Sequence, residues 1–347
     1  MPIRGSRAAL AAGTALLLAM SGCSSSPAPS ADSGQVCGPV TIGATVYDMS
    51  SFVTQGKEGM DAYAKARDIT LLWESAGGDP KAQEAQVQQF IDAGVDAIVI
   101  VPTLADLLDD ELRAAQVADI PVIAVNTTLA DQSLLTSSVV PDDVAAGRQQ
   151  AQVMVDALGG SGNLLVLQGP TGSSAQLDRT RGIDEVLADS PELQITERDT
   201  ANWSQAEAQA LTSEWLTQHG DSIDGIIAEN DDMALGALAA AEEAGLTLPI
   251  VGIDGIADGL AAVASGELIG TSLQHGRVQM AAGLAVARRA ACRLPIEANY
   301  TYAMPPVTAD TVGKFTANVV TDTDAFLTRL PDLVDANVAT GTIANED

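Results

Sequence analysis

Residues 223–255 read I-D-G-I-I-A-E-N-D-D-M-A-L-G-A-L-A-A-A-E-E-A-G-L-T-L-P-I-V-G-I-D-G. The first six residues are a short apolar run after a turn, which predicts a buried strand. A helix follows, with Asp231 or Asp232 as its N-terminal cap, and residues 249–253 form a second apolar run. Strand, helix and strand over about thirty residues predict a βαβ unit with parallel strands and a right-handed crossover.

Polar residues follow both predicted strands of this unit. Asn230 comes after the first strand and Asp254 after the second. Ligands of open α/β sheets bind beyond the carboxyl ends of the strands, so both side chains are candidates for one binding crevice. Helix caps and Asx-turns are the alternative explanation for the same residue types.

The rest of the chain shows the same alternation of short apolar runs and amphipathic stretches. It starts at residue 40 and restarts near residue 163, which predicts two similar lobes with doubly wound parallel sheets. The less regular elements are predicted as a helix over 104–117, a strand over 134–140 and a tail helix over 323–338. An eight-stranded α/β barrel is the alternative, because it also alternates strands and helices.

Length and charge narrow the functional classes. The chain has 347 residues, enough for two domains with full cores. Its formal net charge is −29, so it is unsuited to neutralising a phosphate backbone, and we expect no nucleic-acid partner.

The N-terminus has the pattern of a bacterial lipoprotein. Residues 1–22 combine two arginines with an apolar run over 8–20, as in a signal peptide. The run is too short to span a bilayer. M-S-G-C at 20–23 resembles the lipobox, which predicts lipidation of Cys23. Residues 23–36 then form a flexible Ser/Pro-rich tether. An ordinary secretory signal with an incidental Cys23 is the alternative.

Five motifs occur in an order and spacing that resemble one family. Almost the whole mature chain resembles the ribose-binding-protein type of periplasmic sugar-binding protein, which serves ABC importers. The motifs are G-K-E-G-M at 56–60, G-P-T-G-S-S-A-Q-L-D-R-T-R-G at 169–182, A-E-N-D-D-M-A-L-G-A-L at 228–238, V-G-I-D-G-I-A-D-G at 251–259 and G-T-S-L-Q at 270–274.

The resemblance implies the type I periplasmic binding protein fold. In that fold three crossing strands join two α/β lobes, which close over a sugar like a hinge. Carried over to this chain, the N-terminal lobe is 37–140 plus 275–300. The C-terminal lobe is 141–274 plus 301–347, although the tail beyond Val312 is longer than the shortest family members need.

The resemblance also implies a set of ligand-binding residues. Their types suit a sugar or polyol, since carboxylates, amides and guanidinium groups bond hydroxyls and aromatic rings stack on C–H faces. Two family features are missing: Val53 replaces a second aromatic residue, and Thr127 replaces an arginine. The implied ligand-binding residues are Asp48, Ser50, Phe52, Asn126, Arg179, Trp203, Asn230, Asp254 and Gln274.

Two of these residues have an alternative explanation. Arg179 could form a surface ion pair with Asp178 or Asp184. Trp203 precedes a capping box, so its ring could pack on Ala208 as a hydrophobic staple.

Together, the motifs and the N-terminal pattern predict an extracytoplasmic substrate-binding component of an ABC importer, lipid-anchored to the outer face of the bacterial cell membrane. We expect a small sugar or sugar alcohol as ligand, with a pentose or linear polyol favoured by the two missing features. The expected partners are this ligand and an ABC permease, with membrane contact only through the lipid and a monomeric state. A sensory receptor with the same fold is the alternative.

The sequence lacks the features that a DNA-binding regulator or an enzyme would need. A LacI-type regulator would need an N-terminal DNA-binding helix pair where this chain has a signal peptide. The chain has two histidines far apart and no nucleophile elbow, P-loop or metal-spaced cluster, so we expect no catalysis, cofactor or metal.

Cysteine count predicts one disulfide. If Cys23 carries lipid, Cys37 and Cys292 remain as a pair in an exported protein. In the implied fold both lie at the end of the first lobe opposite the ligand. Two unpaired thiols are the alternative.

Overall fold

The computed structural model describes residues 37–344. The signal peptide, the lipidation of Cys23 and the tether were predicted for residues 1–36 and lie outside the described residues. None of the described helices combines the length and the hydropathy needed to cross a bilayer.

Residues 40–141 alternate strands and helices as predicted. The strand over Ala97–Val101 is buried at every residue, which is typical of a parallel strand covered on both faces. The elements are β1 (Val40–Val46), α1 (Ser51–Ala66), β2 (Ile69–Ser75), α2 (Pro80–Ala93), β3 (Ala97–Val101), α3 (Asp109–Val117), β4 (Val122–Val125) and β5 (Ser137–Pro141).

Residues 143–272 repeat the alternation, and the βαβ unit predicted first is present as a parallel pair joined by a helix. The elements are α4 (Asp143–Leu158), β6 (Gly162–Gln168), α5 (Ser174–Ala188), β7 (Leu193–Thr200), α6 (Gln205–His219), β8 (Gly225–Ala228), α7 (Asp231–Glu243), β9 (Ile250–Val251), α8 (Ala257–Ser265) and β10 (Thr271–Ser272).

The last part of the chain contributes to both halves. A π-helical turn over Ala317–Thr321 separates its last two helices. The elements are α9 (Gly276–Ala291), β11 (Asn299–Tyr302), β12 (Pro306–Val307), α10 (Val312–Thr316) and α11 (Thr323–Thr340).

The strands form two open sheets. The first has the order β11-β5-β4-β3-β1-β2 and the second the order β7-β6-β8-β9, and every pair in both is parallel. β10 and β12 make a small antiparallel ribbon beside the second sheet. The predicted pair of doubly wound α/β lobes is therefore confirmed, and the barrel alternative is excluded.

The chain passes between the lobes at three places close to those implied by the resemblance. It leaves the first sheet after β5, returns between β10 and α9, and leaves again after β11.

The tail makes a further passage that the sequence analysis did not place. Val312, Phe315 and Val319 belong to the apolar core of the second lobe. Phe326 and the rest of the apolar face of α11 pack in the core of the first lobe, against α1 and α9. Assigning all of 301–347 to the C-terminal lobe was therefore wrong for α11, because its apolar face is buried on the other lobe.

Two predicted elements begin later than expected. α3 starts at Asp109 rather than 104, because Leu108 has φ 74° and the Ala105 N–H donates to the carbonyl of Gly172, 3.0 Å away in the other lobe. The strand predicted from 134 starts at Ser137, after a 3-10 turn over Gln132–Leu134.

A disulfide joins Cys37 to Cys292, with a Cα–Cα distance of 5.6 Å. The bond ties the segment before β1 to the C-terminal end of α9 across 255 residues of sequence. The predicted pairing is therefore present, and the alternative of two free thiols does not hold in the structure.

Candidate functional site

A small cavity lies between the lobes, at the carboxyl ends of the strands. Loops after β1 and β4 form its wall on the first lobe, and α5 with the loops after β7, β8 and β9 forms the wall on the second. Seven of the nine predicted ligand-binding residues line it. The lining residues are Tyr47, Ser50, Phe52, Asn126, Thr127, Ala175, Arg179, Trp203, Asn230 and Asp254.

The wall on the first lobe combines two aromatic residues, Tyr47 and Phe52, with polar groups. Phe52 is in the first turn of α1 and is buried, and Ser50 precedes that helix. Asn126 follows β4 in the left-handed region, with φ 66°, a conformation that asparagine tolerates better than most residues. Asp48 does not line this cavity: its carboxylate accepts from Ser50 N at 2.9 Å and borders an adjoining hollow.

Arg179 on α5 is the centre of the second lobe's polar cluster. Its Nε donates to the Asp143 carboxylate at 2.8 Å, Nη2 donates to Gln274 Oε1 at 2.8 Å, and Nη1 donates to the Glu229 carbonyl. The side chain is only 3% exposed. Since Asp178 pairs with Arg181 and Asp184 with Arg198, the surface-pair alternative for Arg179 is wrong.

Asp254 follows β9 and presents a carboxylate to the cavity. Its backbone is strained, with φ 123°, and its N–H and C=O bond to Ser272 and Gln274. One carboxylate oxygen is 3.9 Å from Arg179 Nη1, and within residues 37–344 no side-chain hydrogen bond joins it to a protein donor. Burial raises the pKa of Asp254 well above its usual range, and the Arg179 guanidinium opposes that rise.

Asn230 both caps a helix and faces the cavity. Its Oδ1 accepts from Met233 N at 2.9 Å, so Asn230 is the N-cap of α7, and the prediction that Asp231 or Asp232 caps this helix was wrong. The amide Nδ2 is left to donate toward the cavity. Asp231 instead accepts from Thr271 Oγ1 at 2.7 Å and Ile256 N at 3.1 Å.

Trp203 is held rigidly as an aromatic wall. Its ring lies so close to Gly169 that a Cβ on that residue would be 2.0 Å from the ring. The Arg179 guanidinium carbon is 5.4 Å from the ring centroid, which is cation–π distance. Trp203 also belongs to the same apolar cluster as Ala208.

Gln274 lies behind the cavity rather than on its surface. It accepts from Arg179 and donates through Nε2 to Gln279 Oε1 at 2.8 Å. Asn126 Nδ2 donates to the same oxygen at 3.4 Å. Through Gln274 and Gln279, these hydrogen bonds connect the polar cluster of the second lobe with Asn126 of the first lobe.

Sequence reasoning missed Tyr47, Ala175 and Asp143. Tyr47 directly follows β1, and the low aromatic content of the chain, 3%, could have marked it as informative. Ala175 has no distinctive sequence signal. Asp143 is the buried partner of Arg179, and a carboxylate in the first turn of a helix reads as an ordinary helix-dipole residue.

The chemistry of the cavity matches a neutral polyhydroxy compound. Asp254 accepts hydrogen bonds, Arg179 donates, Asn126 and Asn230 supply amides, and hydroxyls can do both. Across the described residues 37–344, no group of three His, Cys, Asp or Glu side chains could hold a metal ion.

A family model described as periplasmic binding protein domain matches residues 42–293. The chain belongs to the periplasmic binding protein family. Its relatives in this family are substrate-binding proteins and not enzymes, so this chain is a substrate-binding protein of the ribose-binding-protein type, with the type I fold.

Two relatives in sequence define its place in the family. The chain is 50% identical over 306 residues to the xylitol-binding protein of Mycolicibacterium smegmatis, covering 88% of this chain and 87% of that protein. It is 30% identical over 236 residues to the ribose import binding protein of Bacillus subtilis, covering 68% of this chain and 76% of that protein.

A solved structure shows the same architecture. The ABC transporter solute-binding protein of Bacillus halodurans with bound myo-inositol superposes with a TM-score of 0.76 at 30% identity. The match covers 83% of this chain and 99% of that protein.

Proposed function

We propose that this periplasmic binding protein captures a small neutral polyol, with a five-carbon alditol such as xylitol favoured, and delivers it to an ABC importer. The observation that carries the proposal is the small cavity between aromatic and hydrogen-bonding walls contributed by both lobes. The 50% identity to a xylitol-binding protein supports the choice of ligand class.

The composition of the walls favours a linear polyol over a pyranose. Phe52 and Trp203 supply aromatic faces, whereas Val53 is fully buried in the first lobe's core and supplies none. Thr127 takes the place of an arginine, and its hydroxyl donates to the Pro102 carbonyl at 2.8 Å. A flexible ligand with hydroxyls on every carbon can satisfy Asp254, Arg179 and the two amides without the extra stacking face that an aromatic residue at position 53 would supply.

Hinge closure is part of the proposal. The walls come from both lobes, so a ligand completes its contacts only when the lobes meet, and its differential affinity favours that state. Hydrogen bonds between lobes, such as Thr128 N to Ser174 Oγ at 2.8 Å, support a closed arrangement.

Export and a lipid anchor complete the proposal. The family works outside the cytoplasm, and the lipobox-like residues before Cys23 would place the protein on the outer face of the membrane. Replacing Cys23 with Ala should release the protein into the medium or leave it unprocessed. A variant that stays membrane-bound and correctly cleaved would contradict the anchor.

A thermal-shift panel tests the ligand class. Pentoses, hexoses, four- to six-carbon alditols and maltose are added to the mature protein. A ligand at 1,000 times its dissociation constant stabilises by about 4 kcal/mol, so xylitol should raise the melting temperature clearly, while maltose should be too large for the cavity. Calorimetry then measures the affinity. A panel in which no alditol or monosaccharide shifts the transition would overturn the proposal.

A further inference from the structure

The helix after β1 begins without a cap of its own. Ser50 occupies the N-cap position of α1 but makes no side-chain capping hydrogen bond. The first N–H groups of a helix have no partner within it, and they need an acceptor from elsewhere.

That acceptor comes from the other lobe. Asp232, in the first turn of α7, accepts through Oδ2 from Ser51 N at 3.2 Å and through Oδ1 from Ser51 Oγ at 2.7 Å. Its carboxylate therefore lies at the N-termini of two helices, α1 and α7, where the helix dipoles favour a negative charge. Asp232 is 9% exposed, although it lies on the seam between the lobes.

The contact is separate from the ligand cavity. Neither Ser51 nor Asp232 is among the lining residues, although Ser50 and Asn230, each one or two positions away, are. A substitution of Ser51 or Asp232 can therefore change the population of the closed state without removing a ligand contact.

We propose that Ser51 and Asp232 form a closing latch: a helix cap supplied across the cleft, present only when the lobes meet, which sets how long the ligand is held. This inference rests on the proposed capture of a polyol by closure. Apparent affinity scales with the population of the closed state, so two hydrogen bonds made only in that state strengthen binding of any ligand that fits.

The predicted effect is on affinity and release. Hydrogen bonds to a charged group are the stronger kind, so Asp232→Ala should weaken xylitol binding by about tenfold or more, and Ser51→Ala by a smaller factor. The loss should be in the dissociation rate, followed by stopped-flow fluorescence of the tryptophans, because release requires the latch to open. Ser51→Thr keeps the hydroxyl and should restore most of the affinity.

Thr54→Ala is the matched control. Thr54 is in the same first turn of α1, and among residues 37–344 its hydroxyl bonds only to the Met49 carbonyl of its own loop, at 3.4 Å. It should bind xylitol like the wild type. Urea unfolding of the ligand-free variants identifies any general loss of fold, since a latch formed only on closure should hardly affect it.

A double-mutant cycle tests whether Ser51 and Asp232 act through the same interaction. In the Ser51→Ala/Asp232→Ala protein the second substitution should cost little further affinity, because either one opens the latch. Wild-type protein that binds xylitol while both single variants bind and release it at wild-type rates would overturn the latch alone. Wild-type protein that binds no member of the ligand panel would instead overturn the proposed function.

Discussion

At the residue scale, the positions of the polar side chains after the strands could be predicted from the sequence, whereas the roles of these side chains could not. Asn230 and Asp254 were predicted from position alone, and both line the cavity. The residue that caps α7 could not be predicted from the sequence. Asn230, Asp231 and Asp232 are all good N-caps, and tertiary contacts decide among them. The buried partners of such residues are equally hard to predict, because no local sequence pattern indicates that Asp143 pairs with Arg179.

Thr45 shows the same limit inside the first lobe. It is fully buried in β1, and its hydroxyl donates to Gln86 Oε1 at 2.5 Å. Buried polar side chains need such partners, but the partner is 41 residues away along the chain, so only the folded structure reveals it.

Arg179 should matter for stability as well as for binding. It is buried and bonds Asp143, the Glu229 carbonyl and Gln274. Arg179→Ala would leave these groups without their partner, which typically costs about 3–5 kcal/mol. Arg181→Ala, which breaks an exposed pair with Asp178, should cost at most about 1 kcal/mol. Urea unfolding of the ligand-free proteins measures both, and equal losses would contradict the buried role of Arg179.

Two buried carboxylates should make stability depend on pH. Burial raises the pKa of Glu229 and of Asp231 to about 7 each. The folded protein therefore binds these protons more tightly than the unfolded chain, so the stabilisation they give is fully present below about pH 4 and is lost as pH rises from there to about 7. Glu229→Gln should remove about 1–3 kcal/mol of the difference in unfolding free energy between pH 5 and pH 8.

The control for this pH effect is Glu267→Gln, which changes an exposed carboxylate of the same lobe. Its unfolding free energy should follow the wild-type pH profile. A Glu229→Gln protein with an unchanged profile would show that Glu229 keeps its ordinary pKa in the folded state.

At the element scale, long periodic segments were predictable and segments shaped by the opposite lobe were not. The βαβ unit over 223–255 and the strand Ala97–Val101 need only their own hydrophobic pattern. The start of α3 is set by the bond between Ala105 and Gly172, a contact with the other lobe. The helix α11 was predicted as a helix, but its position on the first lobe depends on the surface of α1 and α9, which periodicity does not describe.

The attachment of α11 gives a test at this scale. Phe326 is 1% exposed in the core of the first lobe and stacks on His275 at 4.7 Å between ring centroids. Phe326→Ala should destabilise the protein by about 3–5 kcal/mol, as is usual for a buried aromatic. Val320, in the turn before α11, is 41% exposed, and Val320→Ala should be nearly neutral. Equal unfolding midpoints in urea for the two variants would show that α11 is not held by this core.

At the scale of the whole molecule, the two lobes meet through few direct polar contacts apart from the chain crossings. Ser51 with Asp232, Ala105 with Gly172 and Thr128 with Ser174 are such contacts, and each involves a loop or a helix start. The largest apolar cluster lies mainly in the first lobe but also includes Ala146, Ile253 and Ile256 of the second lobe, and Tyr47 and Leu235 pack against both this cluster and that of the second lobe. Few polar contacts need to break when the lobes separate, so the arrangement suits two bodies that move about the crossings.

Closure on ligand binding is the prediction that belongs to this scale. A compact chain of this size has a radius of gyration of about 20 Å, and an open cleft makes it larger. Small-angle scattering of the mature protein should therefore show a decrease when xylitol saturates it, since the ligand binds the closed state better than the open one. Asp254→Ala, which removes an acceptor from the cavity, should bind far more weakly, by about 2–5 kcal/mol, and should stay expanded at the same xylitol concentration. If calorimetry shows wild-type saturation while the scattering curve does not change, the lobes form a rigid site and the ligand enters without closure.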